Sequence, residues 1–441
     1  IETLLDYETI RANEGRPVHL VLQMEAPKLE PKARQPIAFS VVLDRSGSMS
    51  GMPLDQAKKA CAGVIRNLRS EDQFSLVAFD SVAQVVIPQG VIADRATALR
   101  QAESIHVRGS TNLTAGWMLG ADELRTVPEG VSRRLLLLSD GLLNVGVIEP
   151  QQVRSIVADG RNGADIRTSS LGFGRHYDEE LLGDLARATD GNFYDVETED
   201  KLPAIFAAEL EGLQRVSVQN LRLRVRKKAF CERWEVFDNM PRTNRQDDWV
   251  ELSVGDLISE EERAVAFSME VLPIPLLADG NPAAELDGEE LLEIEFIYDE
   301  IGEKKVTSRS EKRTIRVRAT QDPADVQVNE RILPILSNQV AGKAVREATL
   351  RMDRMELEEA RHLLETKARE LRAFGHPEVV RDALEAIRRT LRDLEHWDLR
   401  KRKSARYRSA SYLKHSSAEY WSSGEQAPVF KKLPPPDSDY H

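Results

Sequence analysis

Cysteine is nearly absent from this chain. Only Cys61 and Cys231 occur in 441 residues, which leaves no disulfide framework and no Cys-x-x-Cys spacing for zinc. Both read as small buried hydrophobes, and their scarcity suits a reducing, cytoplasmic setting. The eight histidines are scattered from His19 to His441, and no two stand three or four residues apart. Zinc hydrolase chemistry therefore has no ligand set to work with. No apolar run approaches the ~18 residues that a membrane span requires. There is no P-loop, and no Gly-x-Gly-x-x-Gly follows the first apolar strand; Gly172-Phe-Gly174 is too short for that fingerprint and reads as a tight loop. Net charge is −12, from 61 basic and 73 acidic residues, which argues against a globally basic nucleic-acid binder. The chain opens on Ile1 and not on Met, which leaves room for a segment upstream; no secretory apolar region stands in the sequence itself.

What is present is enough apolar residue for real cores, 41% of the chain, over a length that predicts two or three domains. Residues 1–36 hold one strand-like run, 16–24, then a Pro- and Lys-rich linker, and that strand can pair into a later sheet. Over 37–213, continuous apolar runs alternate with helical patterns. Ile37–Leu43, Phe74–Phe79, Val85–Ile87, Leu135–Leu138 and Ile166–Phe173 read as strands. Helices are expected near Leu54–Leu68, Ala96–Ile105, Leu113–Leu124, Pro150–Asp159, Asp178–Thr189 and Lys201–Leu213. Apolar strands interleaved with amphipathic helices mean an open, mostly parallel α/β sheet covered on both faces, with ligands expected at the carboxyl ends of its strands. Over 214–325 the period changes to two, as in Val218, Leu221, Leu223 and Val225, and an all-β sandwich is expected. Residues 326–397 return to helical spacing, with Gly375 and Pro377 separating two helices, and read as a small antiparallel bundle of about three. The tail, 398–441, carries nine Lys or Arg between Arg400 and Lys432 against two Glu, interleaved with Tyr407, Tyr412, Tyr420 and Trp421, and ends in Pro434–Pro436. It reads either as a solvated, flexible tail or, over 400–432, as a segment that docks on a protein surface, this chain's own or a neighbour's, and does not bind nucleic acid.

Chemistry concentrates in three loops. The first apolar strand ends in Asp44-Arg45-Ser46-Gly47-Ser48, one carboxylate and two hydroxyls. Alone this is a weak signal, because Ser48 or Ser50 could simply cap the helix that follows. The run 135–138 also ends in a carboxylate, Ser139-Asp140-Gly141, and Thr111 stands in a loop just before a helix. If these loops share one sheet edge, Asp44, Ser46, Ser48, Thr111 and Asp140 converge. An all-oxygen set suits a hard cation such as Mg²⁺, with Ca²⁺ and Mn²⁺ as the other candidates.

At this point the sequence resembles a von Willebrand factor type A (VWA) domain, a Rossmann-like fold, over about 37–213. The likeness includes Asp72–Phe79 and Leu182–Ala186, and the five residues match that family's metal-ion-dependent adhesion site. The resemblance implies that Ser46 and Ser48 coordinate the metal directly and that Thr111 does so directly or through water. Asp44 and Asp140 would act through water and through hydrogen bonds that orient the serines. Neutral hydroxyls leave the cation under-neutralised, so it can accept a carboxylate from an Asp or Glu of a partner protein. The order of domains, with the stretch from Gly255 to Arg263, is also similar to prokaryotic relatives of the inter-alpha-trypsin-inhibitor heavy chains and of so-called calcium-activated channel proteins. Nothing here is built to cross a bilayer, so channel activity is not implied.

The expected function is a non-enzymatic, Mg²⁺-dependent protein-interaction module, a scaffold or adaptor. A phosphoryl-transfer site of the haloacid-dehalogenase type would need a second Asp where Ser46 stands, and no nucleophile–base pair is evident. Two rivals stay open: a substrate-recruiting partner of an AAA+ ATPase of the MoxR or chelatase type, and a surface or secreted adhesin. The sequence leaves the oligomeric state open.

Overall fold

The computed structural model describes residues 1–441 apart from 30–34, 129–130, 141–144, 174–176, 197, 239, 276–287, 303–305, 374–376, 395–396, 398–400, 403–404, 407–408, 410–411 and 414–441. Gly141, Gly174, Gly375, Tyr407, Tyr420, Trp421 and the proline-rich end lie outside the described residues, as does the middle of the 27–36 linker. The chain divides into two compact units: 29–216 with 301–305, and 1–28 with 217–300 and 306–441.

Three strands open the chain: β1 (Glu2–Leu5), β2 (Thr9–Arg11) and β3 (Arg16–Glu25). The α/β unit then contains β4 (Ile37–Asp44), α1 (Met52–Asn67), β5 (Gln73–Phe79), β6 (Ala83–Val91), α2 (Arg95–Glu103), α3 (Leu113–Arg125), β7 (Ser132–Ser139), α4 (Pro150–Ala164), β8 (Ile166–Phe173), α5 (Glu179–Ala188), β9 (Phe193–Val196) and α6 (Leu202–Gln214). Strand order is β6-β5-β4-β7-β8-β9; β6 runs antiparallel to β5 and the other pairings are parallel. Every residue of β4 and β8 is buried, because helices cover both faces of the sheet. One core gathers Phe39, Val41 and Leu43 with α1, α2 and α6; the other gathers Ala38 and Val42 with α3, α4 and α5. The short edge strand β9 was not expected from the sequence. Its four residues are too few to show a period.

Helix α3 approaches the sheet closely through two glycines. A Cβ on Gly120 would lie 2.4 Å from Val42 Cγ2, and one on Gly116 would lie 2.6 Å from the Phe79 ring. That contact sets the helix against β4 and β5 and carries its amino end, with the loop through Thr111, to the carboxyl edge of the strands.

The second unit is a β-sandwich with a helical layer. Its later elements are β10 (Val216–Lys227), β11 (Cys231–Val236), β12 (Arg242–Asn244), β13 (Val250–Ile258), β14 (Glu262–Val271), β15 (Glu289–Ile301), β16 (Val306–Thr320), α7 (Leu333–Asp353), α8 (Leu357–Arg372) and α9 (Arg381–Leu394). A four-stranded sheet, β1-β3-β14-β11, faces a six-stranded one, β12-β13-β10-β15-β16-β2. Leu20, Leu22, Leu223, Val225, Phe267 and Phe296 belong to their shared core. The other face of the four-stranded sheet is covered by α7, with Val21, Ala264 and Ala266 against Ile332, Ile335 and Leu336. Burial on both faces explains why β14 shows no clean alternation in sequence and escaped the period-two reading.

Gln339 of α7 is fully buried against that sheet. Its Oε1 accepts from Ala266 N at 3.0 Å, and its Nε2 donates to Ala264 O at 3.2 Å and to Leu413 O at 3.1 Å. The carboxamide thus acts as one more strand residue beside β14 and ties a returning carboxyl-terminal segment to it. Ala405 joins the core of α7–α9, Arg406 pairs with Asp353, and Ser409 Oγ donates to Gly342 O at 3.0 Å. The bundle boundary drawn at residue 397 is therefore too early; packing continues through Leu413.

Gly120→Ala is expected to destabilise the protein by about 1–3 kcal/mol through overpacking, although alanine is the better helix former by about 1 kcal/mol. Denaturant midpoints of the two proteins test this, and a raised midpoint would contradict the close helix–sheet approach.

Candidate metal centre

Strand β4 is buried along its whole length and ends in a carboxylate that is itself without exposure, Asp44. Such a group must find donors locally. Asp44 Oδ1 accepts from Ser46 N at 2.8 Å, which turns the chain sharply at the strand end. Its Oδ2 accepts from Ser139 Oγ at 2.9 Å, so the ends of β4 and β7 are tied together. A 3-10 turn, Gly47–Met49, follows, and α1 then begins after Gly51 at φ +83° with no side-chain cap. The capping role open to Ser48 and Ser50 is thus not used. Instead Ser46 Oγ and Ser48 Oγ lie 3.1 Å apart, and Ser48 Oγ donates to Asp140 Oδ1 at 2.7 Å.

Thr111 stands on the loop that leads into α3, and it is buried. Gly47 N donates to Gly109 O at 3.2 Å, and Arg108 N donates to Arg45 O at 2.8 Å, so this loop is pinned to the first. Thr111 O accepts from Val145 N at 3.3 Å, which pins it to the segment after Asp140 as well. Asn112 caps α3 by accepting from Ala115 N at 3.1 Å. The structure therefore brings Asp44, Ser46, Ser48 and Asp140 into one bonded network, with Thr111 on a loop tied directly to it. All five share the carboxyl edge of the sheet.

Two carboxylates share this network. The Asp44 carboxyl is pushed up to about 6. Burial is the main cause, resisted by the hydrogen bonds from Ser46 and Ser139 and reinforced by the charge of Asp140. The nearest basic side chain in sequence, Arg45, is spent elsewhere. It is buried, and its Nε donates to Asp80 Oδ2 at 2.7 Å. Sequence reasoning passed over both Arg45 and Asp80. A signal was available, since Asp80 follows β5 as Asp140 follows β7, and Asp44 ends β4. Among the described residues no group of three or more His, Cys, Asp or Glu forms a metal cage.

A family model for the von Willebrand factor type A domain matches residues 40–208. Those residues are a VWA domain. An uncharacterised protein of Synechocystis sp. is 27% identical over 313 residues, covering 68% of this chain and 71% of that protein. Inter-alpha-trypsin inhibitor heavy chain H3 of Homo sapiens is 27% identical over 175 residues, 38% of this chain but only 19% of the heavy chain. Among solved structures, a von Willebrand factor type A protein from Catenulispora acidiphila superposes with a TM-score of 0.66 at 18% identity, covering 87% of this chain and 88% of that one. The ArnB paralog VWA2 from Sulfolobus acidocaldarius gives 0.61 at 14% identity, covering 94% and 97%. Both likenesses extend well past the VWA domain and concern the fold. VWA domains are generally non-enzymatic protein-interaction modules, and they typically bind a divalent cation. Among the described residues, no helix is long and apolar enough to cross a membrane.

The pH dependence of the VWA domain follows from Asp44. A carboxyl raised from about 3.8 to about 6 holds a proton in the folded state that the unfolded chain has lost. Its contribution to stability is therefore present below about pH 4 and disappears as pH rises through 6. Without metal, ionised Asp44 costs on the order of 2–3 kcal/mol at neutral pH. In chelator, Asp44→Asn is expected to unfold at higher denaturant than wild type at pH 7.5, with the gap closing by pH 4. Equal midpoints at both pH values would contradict this charge assignment.

Proposed function

We propose that Asp44, Ser46, Ser48, Thr111 and Asp140 hold one divalent cation, Mg²⁺ in the first instance, and that the protein uses it to bind an acidic side chain of a partner. The observation that carries the reading is the bonded network of two carboxylates and two serines at the strand ends, with the Thr111 loop pinned to it. The donor set fits a hard cation: it is all oxygen, carries at most two negative charges, and includes no sulfur or imidazole. Arg45, the nearest basic residue in sequence, is paired with Asp80. A cation bound there would offset the burial that raises Asp44, with the smaller repulsion from Asp140, and would act as a Lewis acid toward an incoming carboxylate.

The chain's own residues have separable roles in this reading. Asp44 orients Ser46 through its backbone N–H and orients Ser139 through its hydroxyl. Asp140 fixes the Ser48 hydroxyl. Thr111 contributes its hydroxyl from a loop that α3 and its Asn112 cap hold in place. With two carboxylates against a charge of +2, the partner's carboxylate meets a site that local ligands have not over-neutralised. The absence of a nucleophile–base pair in the network favours binding over catalysis.

Affinity capture with the full chain tests the proposal. Wild type in Mg²⁺ is expected to retain a partner that is released by chelator. Asp44→Ala should fail to retain it, and Thr111→Ala should weaken retention while its thermal unfolding stays close to wild type, since a loop hydroxyl contributes little to the core. An AAA+ ATPase among the captured proteins would assign the partner class. Equal capture in Mg²⁺ and in chelator would move recognition to the sandwich or the bundle.

A further inference from the structure

The loop through Thr111 has no covalent reason to lie at a fixed distance from the Asp44–Ser48 loop. More than sixty residues of chain separate them. Two backbone bonds, Gly47 N to Gly109 O and Arg108 N to Arg45 O, join them, and beside these lies the ion pair of Arg45 and Asp80, in which both side chains are almost wholly enclosed, at 7% and 3% exposure. We propose that this pair is a positioning clamp for the cation site: Arg45 on the first loop grips Asp80, and Asp80 holds the Thr111 loop in register with Ser46 and Ser48. The inference rests on the cation site proposed above and adds two residues to it that touch neither metal nor partner.

Each end of the clamp is anchored twice. The Arg45 backbone is bracketed, its N–H donating to Phe79 O at 2.8 Å and its carbonyl accepting from Arg108 N at 2.8 Å. Its guanidinium meets Asp80 through Nε at 2.7 Å and reaches Gln84 Oε1 through both Nη atoms at 3.4 Å. The side chain thus spans from the first loop to the β5–β6 turn. Asp80 stiffens that turn itself, because its Oδ1 accepts from Val82 N at 3.2 Å and its N–H donates to Val82 O at 2.9 Å. Its carbonyl then accepts from Asn112 N at 2.8 Å, the residue directly after Thr111 and the cap of α3.

The same turn holds the Thr111 loop at a second point. Ser81 Oγ accepts from Ser110 N at 3.0 Å. Gly109 lies at φ +57°, and a Cβ there would fall 2.7 Å from Ser81 Oγ and 3.1 Å from Asp80 Oδ1. The loop is therefore pressed onto Asp80 and Ser81 as closely as backbone permits. Thr111 is flanked on both sides by residues bonded to this turn.

The charges agree with this role. Both Asp80 oxygens are committed, one to Val82 N and the other to Arg45 Nε with Arg108 Nε at 3.8 Å, so Asp80 is not offered to a cation. By neutralising Arg45, it keeps a positive charge adjacent to Asp44 from opposing a dication. Buried pairs of this kind are weak evidence for stability, and in this proposal the pair serves to specify one arrangement of the two loops. Partners that orient metal ligands from behind commonly change metal affinity 10- to 100-fold when removed.

The test is direct titration of Mn²⁺ into the full chain, with free Mn²⁺ read by electron paramagnetic resonance, in parallel with thermal unfolding in chelator. Asp80→Asn is expected to raise the Mn²⁺ dissociation constant about ten-fold or more. Arg45→Lys, which keeps the charge but loses the planar fork, should do the same, and it carries the test if Asp80→Asn does not fold. Because the clamp acts through Thr111, adding Thr111→Ala to Asp80→Asn should change affinity less than two-fold beyond Asp80→Asn alone, whereas independent effects would multiply. Wild-type Mn²⁺ affinity in the clamp variants, or full multiplication in the double variant, would overturn the clamp while leaving the cation site standing. Failure of wild type itself to bind Mn²⁺ would overturn both.

Discussion

A carboxylate that ends a fully buried strand is the constraint on which the candidate site depends. Asp44 sits where water does not reach, and its two oxygens are satisfied by one backbone N–H and one hydroxyl from a neighbouring strand. The first bond forces the chain to turn immediately after β4, which sets Ser46 and Ser48 above the sheet edge. The second joins that turn to β7 and so brings Asp140 within reach of Ser48. Once those contacts form, the negative charge has to be carried at a cost, and burial shows the cost by raising the Asp44 carboxyl. A hard cation is the simplest way to lower it.

The same constraint explains what could be read from the residues alone. The runs Ile37–Leu43 and Leu135–Leu138 are legible as buried strands because helices cover both faces of the sheet, which removes the need for polar alternation. Their terminal carboxylates stand out for the same reason. Thr111 is legible as a hydroxyl in a loop just before a helix, and the resemblance to a known pattern gives it a role. Arg45 and Asp80 were not legible as a pair: 35 residues separate them, and arginine beside a serine-rich motif reads as solvated surface. Only the parallel pairing of β4 and β5 sets them opposite one another.

In the other unit, elements escaped the sequence reading where burial broke the expected period. Strand β14 carries an unbroken apolar run, Ala264–Phe267, because the sandwich core lies on one side and α7 on the other. The four residues of β1 and three of β2 are too short to carry a pattern, as are the four of β9 in the α/β unit. The basic composition of the carboxyl-terminal segment suggested docking, but composition could not show where. The contacts of Arg406, Ser409 and Leu413 show that its described residues return to α7, with Gln339 joining sheet edge, helix and segment through one carboxamide. The likeness to the Catenulispora acidiphila and Sulfolobus acidocaldarius structures covers 87% and 94% of the chain and so reaches into this layered unit, whereas the heavy-chain match covers 175 residues.

Anomalous scattering from a crystal of the full chain grown in Mn²⁺ tests the central claim most directly. The account predicts one strong Mn²⁺ peak at the carboxyl edge of the sheet, in contact with the Ser46 and Ser48 hydroxyls. Asp44 and Asp140 should lie behind them, and Thr111 on the adjoining side. A site edge with no Mn²⁺ at saturating concentration, or a peak bound elsewhere while Ser48 still donates to Asp140, would contradict it.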